Sequence, residues 1–177
     1  MGAMPWTETG PWRADAAEAL GEIQARVAMN YDLAALIQSS VESTEQTIAL
    51  EEESGDRFGL LDGWKNYLAN LQEAQSKLPP SSPEQRIDIL RHIHVEEIGN
   101  ILDVTGISDE GEPFTCRPLN EEQLQRVCGS KKPTQEMARS IFAKLANEIG
   151  RAESICFPVF DDAGSPVGWF FAGYTAD

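Results

Sequence analysis

Apolar side chains return every three or four residues through the first part of the chain: Ala16, Leu20, Ile23 and Val27, then Leu33, Leu36, Ile37, Val41, Thr44 and Ile48, then Leu60, Leu61, Trp64, Tyr67, Leu68 and Leu71. That period is helical, so the pattern predicts amphipathic helices over about 14–29, 33–54 and 56–77. Asp15 near the first start favours the helix dipole, Asp32 is placed to cap the second helix, and Gly55 to stop it. A helical hairpin follows. Leu78-Pro79-Pro80-Ser81-Ser82-Pro83 then breaks the pattern, because its prolines forbid continued helix and mark a linker or hinge. Ser82, Pro83 and Gln85 spell a capping box that opens another helix, to about His94.

Beyond Gly99 the period changes. Ile101, Leu102, Val104 and Ile107 read as a short strand, Asp109-Glu110-Gly111-Glu112 as a turn, and Phe114 to Leu119 as a second strand, together a predicted hairpin. Asn120 with Gln123 caps a short helix ending at Cys128-Gly129, and Thr134 caps a longer one carrying Met137, Ala138, Ile141, Phe142, Leu145 and Ile149, closed by Gly150. Ile155 to Phe160 and Val167 to Tyr174, joined by Asp161-Asp162-Ala163-Gly164-Ser165-Pro166, form the clearest hairpin. Strands in adjacent pairs predict an α+β fold, with an N-terminal helical hairpin packed on a small antiparallel sheet of about four strands and further helices. The expected organisation is a tag remnant and irregular N-terminus over 1–13, a helical region over 14–78 and an α+β region over 79–177. These form one continuous domain, a size that carries a core without staples. Within the first segment Met1-Gly2-Ala3-Met4 reads as the tag scar.

Charge changes the picture more than composition does. Asp and Glu number 29 against 14 Lys and Arg, for a formal net charge of −15. Such a surface repels nucleic acid and anionic membranes and attracts basic proteins, so a basic protein partner is expected, with no nucleic acid and no membrane. The excess is spread along the chain, 13 acids against 5 bases before Pro79 and 16 against 9 from it onward. No apolar run approaches membrane-spanning length, and the start lacks the basic and apolar regions of a signal peptide. Cys116, Cys128 and Cys156 form no CxxC pair, which suits reduced thiols and a cytoplasmic location.

Candidate chemistry is sparse. His92 and Glu96 share a helical face at i, i+4, with His94 and Glu97 beside them, yet this supplies two metal ligands without the third that a catalytic zinc needs; no metal and no cofactor is expected. Cys116 and Cys156 lie in predicted strands as small hydrophobes, and Cys128 ends a helix, where the dipole opposes thiolate formation. Gly129-Ser130-Lys131-Lys132-Pro133-Thr134 is the one compact basic element, suited to a single anion. Asp103, Asp109, Glu110, Glu112, Asp161 and Asp162 gather near strand ends, where a desolvated pair would serve as general acid and base. Alternation puts Trp169 and Phe171 on one sheet face and Phe170 on the other, so one face packs against helices and the other needs a cover or a ligand; the N-terminal helical half is expected to supply that cover, failing which a pocket or docking surface is exposed.

The run Phe157-Pro158-Val159-Phe160-Asp161-Asp162-Ala163-Gly164-Ser165-Pro166-Val167-Gly168-Trp169 resembles the central hairpin of PAS and GAF sensory domains, where an acidic turn with Gly joins two core strands. That resemblance implies a sensory or small-molecule-binding module, and no ligand residue is carried over from it. In size, acidity and lack of catalytic motifs the chain is also similar to bacterial immunity proteins and antitoxins. The expected function is a non-enzymatic acidic interaction protein, an inhibitor or immunity/antitoxin-type protein that occludes a basic partner. Glu51, Glu52, Glu53, Asp109, Glu110 and Glu112 would steer association, and Trp169, Phe171 and Tyr174 would line a pocket or supply an anchor. The alternatives are the sensory α+β module and an enzyme using strand-end carboxylates.

Overall fold

A computed structural model describes residues 5–93, 100–141, 149 and 152–174. The chain divides into two units, Met1–Arg26 with Glu97–Asp177, and Val27–Glu96. In the first, five strands form one sheet: β1 (Pro5–Pro11), β2 (Gly106–Ile107), β3 (Thr115–Pro118), β4 (Ser154–Phe160) and β5 (Pro166–Tyr174), in the order β1-β5-β4-β3-β2. The fold is α+β, but the sheet is mixed where an antiparallel one of about four strands was expected. β5 runs antiparallel to both β1 and β4, whereas β3 is parallel to β4 and to β2.

Two differences account for this. The segment expected to be irregular contributes β1, which pairs along its whole length with β5, from Pro5 opposite Tyr174 to Pro11 opposite Gly168. Its sequence hides the strand, because Trp6 is its one buried side chain and prolines stand at both ends, as an edge strand tolerates. The expected strand at Ile101 is largely a 3-10 turn, Ile101–Asp103, with Asn100 Oδ1 accepting from Leu102 N. The two-residue β2 then meets β3 in parallel instead of as a hairpin. Within the intervening 108–114 loop, Gly111 and Phe114 both take positive φ and redirect the chain.

Between β3 and β4 the chain crosses through α5 (Glu121–Cys128) and α6 (Gln135–Ser140). Both starts are capped as the sequence predicts, Asn120 and Gln123 forming a full capping box and Thr134 Oγ1 accepting from Met137 N. Leu124, Cys128, Ala138 and Ile141, with Ile149, pack against Ile155, Phe157, Val159, Phe170 and Ala172 on one sheet face. Phe142, Leu145 and Gly150 of the expected helix lie outside the described residues. On the other face α1 (Ala16–Ala28) buries Ala19 and Ile23, and Gly10 of β1 approaches so closely that a Cβ there would stand 2.5 Å from Ile23 Cδ1. Buried Gln24 donates from Nε2 to Ile101 O at 2.9 Å and Val104 O at 2.6 Å, tying the 3-10 turn to α1.

The second unit contains α2 (Leu33–Ser54), α3 (Leu61–Ser76) and α4 (Pro83–His92). Asp32 caps α2 by accepting from Ala35 N, and Gly55 ends it with φ 76°. α3 starts later than its apolar period suggests. Asp56 takes φ 50° and its Oδ1 accepts from Leu61 N, so the chain forms a closed loop over 56–60 before helix resumes. Gln38 meets Gln75, and Lys65 Nζ meets Glu52 Oε1 at 2.8 Å, so α2 and α3 lie antiparallel as the expected hairpin. Ser82 Oγ accepts from Gln85 N while Gln85 Oε1 returns to Ser81, a capping box displaced by one residue. α3 and α4, on either side of the proline break at 79, belong to the same unit. The α1–α2 turn is held by Arg86 of α4, which donates from Nε to Ala28 O at 2.8 Å and from Nη2 to Tyr31 O.

Candidate functional site

The six acids expected to steer association fall into two groups on different units. Glu51, Glu52 and Glu53 occupy the last turn of α2, the first half-exposed and the others exposed. Their carbonyl end is satisfied by the loop, Asp56 N donating to Glu51 O at 2.8 Å and Gly55 N to Glu52 O at 3.3 Å. The Glu52 carboxylate takes a hydrogen bond from Lys65, which raises the lysine pKa. Asp109, Glu110 and Glu112 are exposed in the β2–β3 loop, where Ser108 Oγ accepts from Glu110 N. Glu112 precedes β3 and Asp161 and Asp162 follow β4; those strands run parallel, so these acids lie at opposite ends of the sheet and form no carboxylate pair. Asp161 Oδ1 instead accepts from Ser165 N and shapes the β4–β5 turn.

The expected anchor is interior. Trp169 is 9% exposed, donates from Nε1 to Arg13 O at 2.9 Å and stacks on Trp12 with centroids 6.0 Å apart. Phe171 is fully buried 6.4 Å from Trp169, and Tyr174 is half-buried. The alternation reading is right about faces, since Phe170 turns the other way onto Phe157 at 5.3 Å. The cover expected from the N-terminal helical half comes from α1, whose Ile23 lies against Gly10, the residue opposite Trp169, and from Trp12 stacked on Trp169. A crevice lined by residues that include Trp6, Phe114, Ser154 and Tyr174 holds about 10 Å³, room for one water.

The remaining chemistry is quiet. All three cysteines are free and buried. Burial pushes the Cys128 thiol up to about 11, and a hydrogen bond with Cys116 together with burial raises Cys156, so neither is a thiolate nucleophile near neutral pH. His92 Nδ1 bonds Asp88 O at 2.7 Å at the end of α4, while its proposed partner Glu96, with His94 and Glu97, lies outside the described residues. Lys132 donates to Gly164 O and stands 5.5 Å over the Phe160 ring, and Lys131 pairs with Glu121, so both cations of the basic loop are engaged. Among the described residues no group of three or more His, Cys, Asp or Glu is placed to hold a metal, and no helix is long and apolar enough to cross a membrane.

One feature escaped the sequence reading. Leu50, Phe58 and Leu60, at the loop end of the α2–α3 hairpin, are 66%, 75% and 50% exposed. Leu60 was expected to face inward, and Leu50 and Phe58 drew no attention because neither continues the apolar stripe. Two helices bury at most the faces they share, and that limit was the available signal. Comparison with known proteins finds no matching family model, no matching curated protein and no matching solved structure.

Proposed function

We propose that this is a non-enzymatic acidic interaction protein of the inhibitor or immunity type, which occludes a basic partner protein in the cytoplasm. The observation that carries the reading is the exposure of the acid clusters: Glu52, Glu53, Asp109, Glu110 and Glu112 are solvent-exposed, and acids outnumber bases in both units. Charge spread in this way accelerates encounter with a basic protein and disfavours acidic ones. Occlusion is steric. The buried cysteines and separated carboxylates support binding over catalysis. The test immobilises the protein, captures candidates from a lysate at low salt, and measures association of each purified candidate across a salt series. A basic partner whose on-rate falls steeply as salt rises is expected; a salt-independent on-rate would overturn the steering role.

A further inference from the structure

The α2–α3 hairpin buries side chains fully at one end only, while Ile48, Trp64, Tyr67 and Leu68 toward the other end are half-buried. Leu33, Ile37, Val41 and Thr44 near the start of α2, and Leu71 and Ala74 near the end of α3, are buried. From residue 45 to residue 70 no side chain is buried, although this stretch includes Ile48, Leu50, Phe58, Leu60, Trp64 and Leu68. A hairpin end that leaves a Phe and two Leu side chains largely in water is a surface suited to a partner. The loop at its tip is nevertheless ordered. Gly55, Asp56 and Gly59 take positive φ, and Asp56 closes the turn onto Leu61, so Phe58 and Leu60 are displayed on a fixed scaffold.

Charge selects the occupant. Between residues 45 and 70 the carboxylates are Glu45, Glu51, Glu52, Glu53, Asp56 and Asp62, against Arg57 and Lys65 alone; with Lys65 and Glu52 paired to each other, five acids face one base. Two copies meeting through such arms would bring like charges together, whereas a cationic amphipathic surface meets both demands. We infer that residues 45–70 form the docking arm, with Phe58 and Leu60 entering an apolar site on a basic protein and the surrounding carboxylates pairing with its rim. This rests on the basic-partner reading above and supplies the anchor that the interior Trp169 and Phe171 do not.

The probe is a synthetic amphipathic helix of lysine and leucine, compared with a lysine and serine peptide of equal charge and a glutamine and leucine peptide of equal apolarity. Binding to the full chain is followed by amide chemical-shift perturbation and calorimetry. The lysine and leucine peptide is expected to bind most tightly, with perturbations concentrated in residues 45–70. The double variant Phe58→Ser/Leu60→Ser, at exposed positions that leave the unfolding temperature unchanged, should weaken it roughly tenfold. Glu52→Gln/Glu53→Gln should weaken it chiefly at low salt. Binding that maps outside the arm, or that ignores the double variant, overturns the docking assignment while the basic-partner reading stands. Equal binding of the glutamine and leucine peptide overturns the choice of a basic occupant. A dimer by sedimentation that the double variant dissolves makes a second copy the occupant and overturns it too. Failure of every cationic peptide to bind at any salt overturns both this inference and the reading beneath it.

Discussion

Arg86→Ala removes both hydrogen bonds that hold the turn between α1 and α2, from Nε to Ala28 O at 2.8 Å and from Nη2 to Tyr31 O. Hydrogen bonds from a charged donor contribute about 1.5–3 kcal/mol each. The guanidinium is half-buried, so water reaches the freed carbonyls and the lower value applies, giving an expected loss of about 3 kcal/mol for the pair. Arg86→Lys keeps the charge and one donor but loses the fork, and should lose about half as much. A urea titration followed by far-ultraviolet circular dichroism measures both. Hydrogen exchange supplies the local readout, because Asn30 N and Tyr31 N bond back to Val27 O and Ala28 O and should lose protection when the clasp is gone. A loss below about 0.5 kcal/mol in the alanine variant, or a lysine variant as stable as the parent, refutes the claim that this fork organises the turn.

Further expectations follow from the sheet and the thiols. Gly168→Ala places a Cβ 2.6 Å from the backbone oxygen of Gly10; it should cost about 1–3 kcal/mol and strip exchange protection from β1. Gly21→Ala, in α1 with open space around it, should instead gain up to about 1 kcal/mol, seen as a raised midpoint of thermal unfolding. Trp169→Ala should destabilise by about 3–5 kcal/mol in a urea titration, where loss of a surface anchor would leave stability unchanged. Cys128 keeps its proton to about pH 11 when folded, against an ordinary 9, so the unfolded chain ionises first and stability should fall as pH rises from about 9 to about 11. Cys128→Ala should flatten that part of the profile.

Helix ends were the most legible part of the fold, because their determinants are local. Asp32, Ser82, Asn120 and Thr134 cap, and Gly55 and Gly129 stop, through contacts within a few residues. What stayed hidden was non-local. β1 is recognisable only through its partner β5, and the parallel pairing of β2 with β3 depends on the backbone of Gly111 and Phe114, whose side chains spell an ordinary turn. At the candidate site, the acid clusters could be read from sequence as exposed, since carboxylates seldom bury. The anchor could not. Trp169 and Phe171 look alike as covered core or as open surface until α1 and Trp12 are placed against them, and Phe58 lies off the apolar stripe, so its exposure shows only in the structure.

The register that joins Pro5 to Tyr174 sets an order of events during synthesis. β1 leaves the ribosome first among the described elements and its neighbour β5 last, so the sheet cannot be completed until the whole of the second unit and the other strands have emerged. The second unit is continuous from Val27 to Glu96 and has its helices in hand long before. On the nascent chain the α2–α3 hairpin is therefore complete in sequence ahead of the sheet, and Trp6 waits for Gly173, the residue over which its indole finally lies.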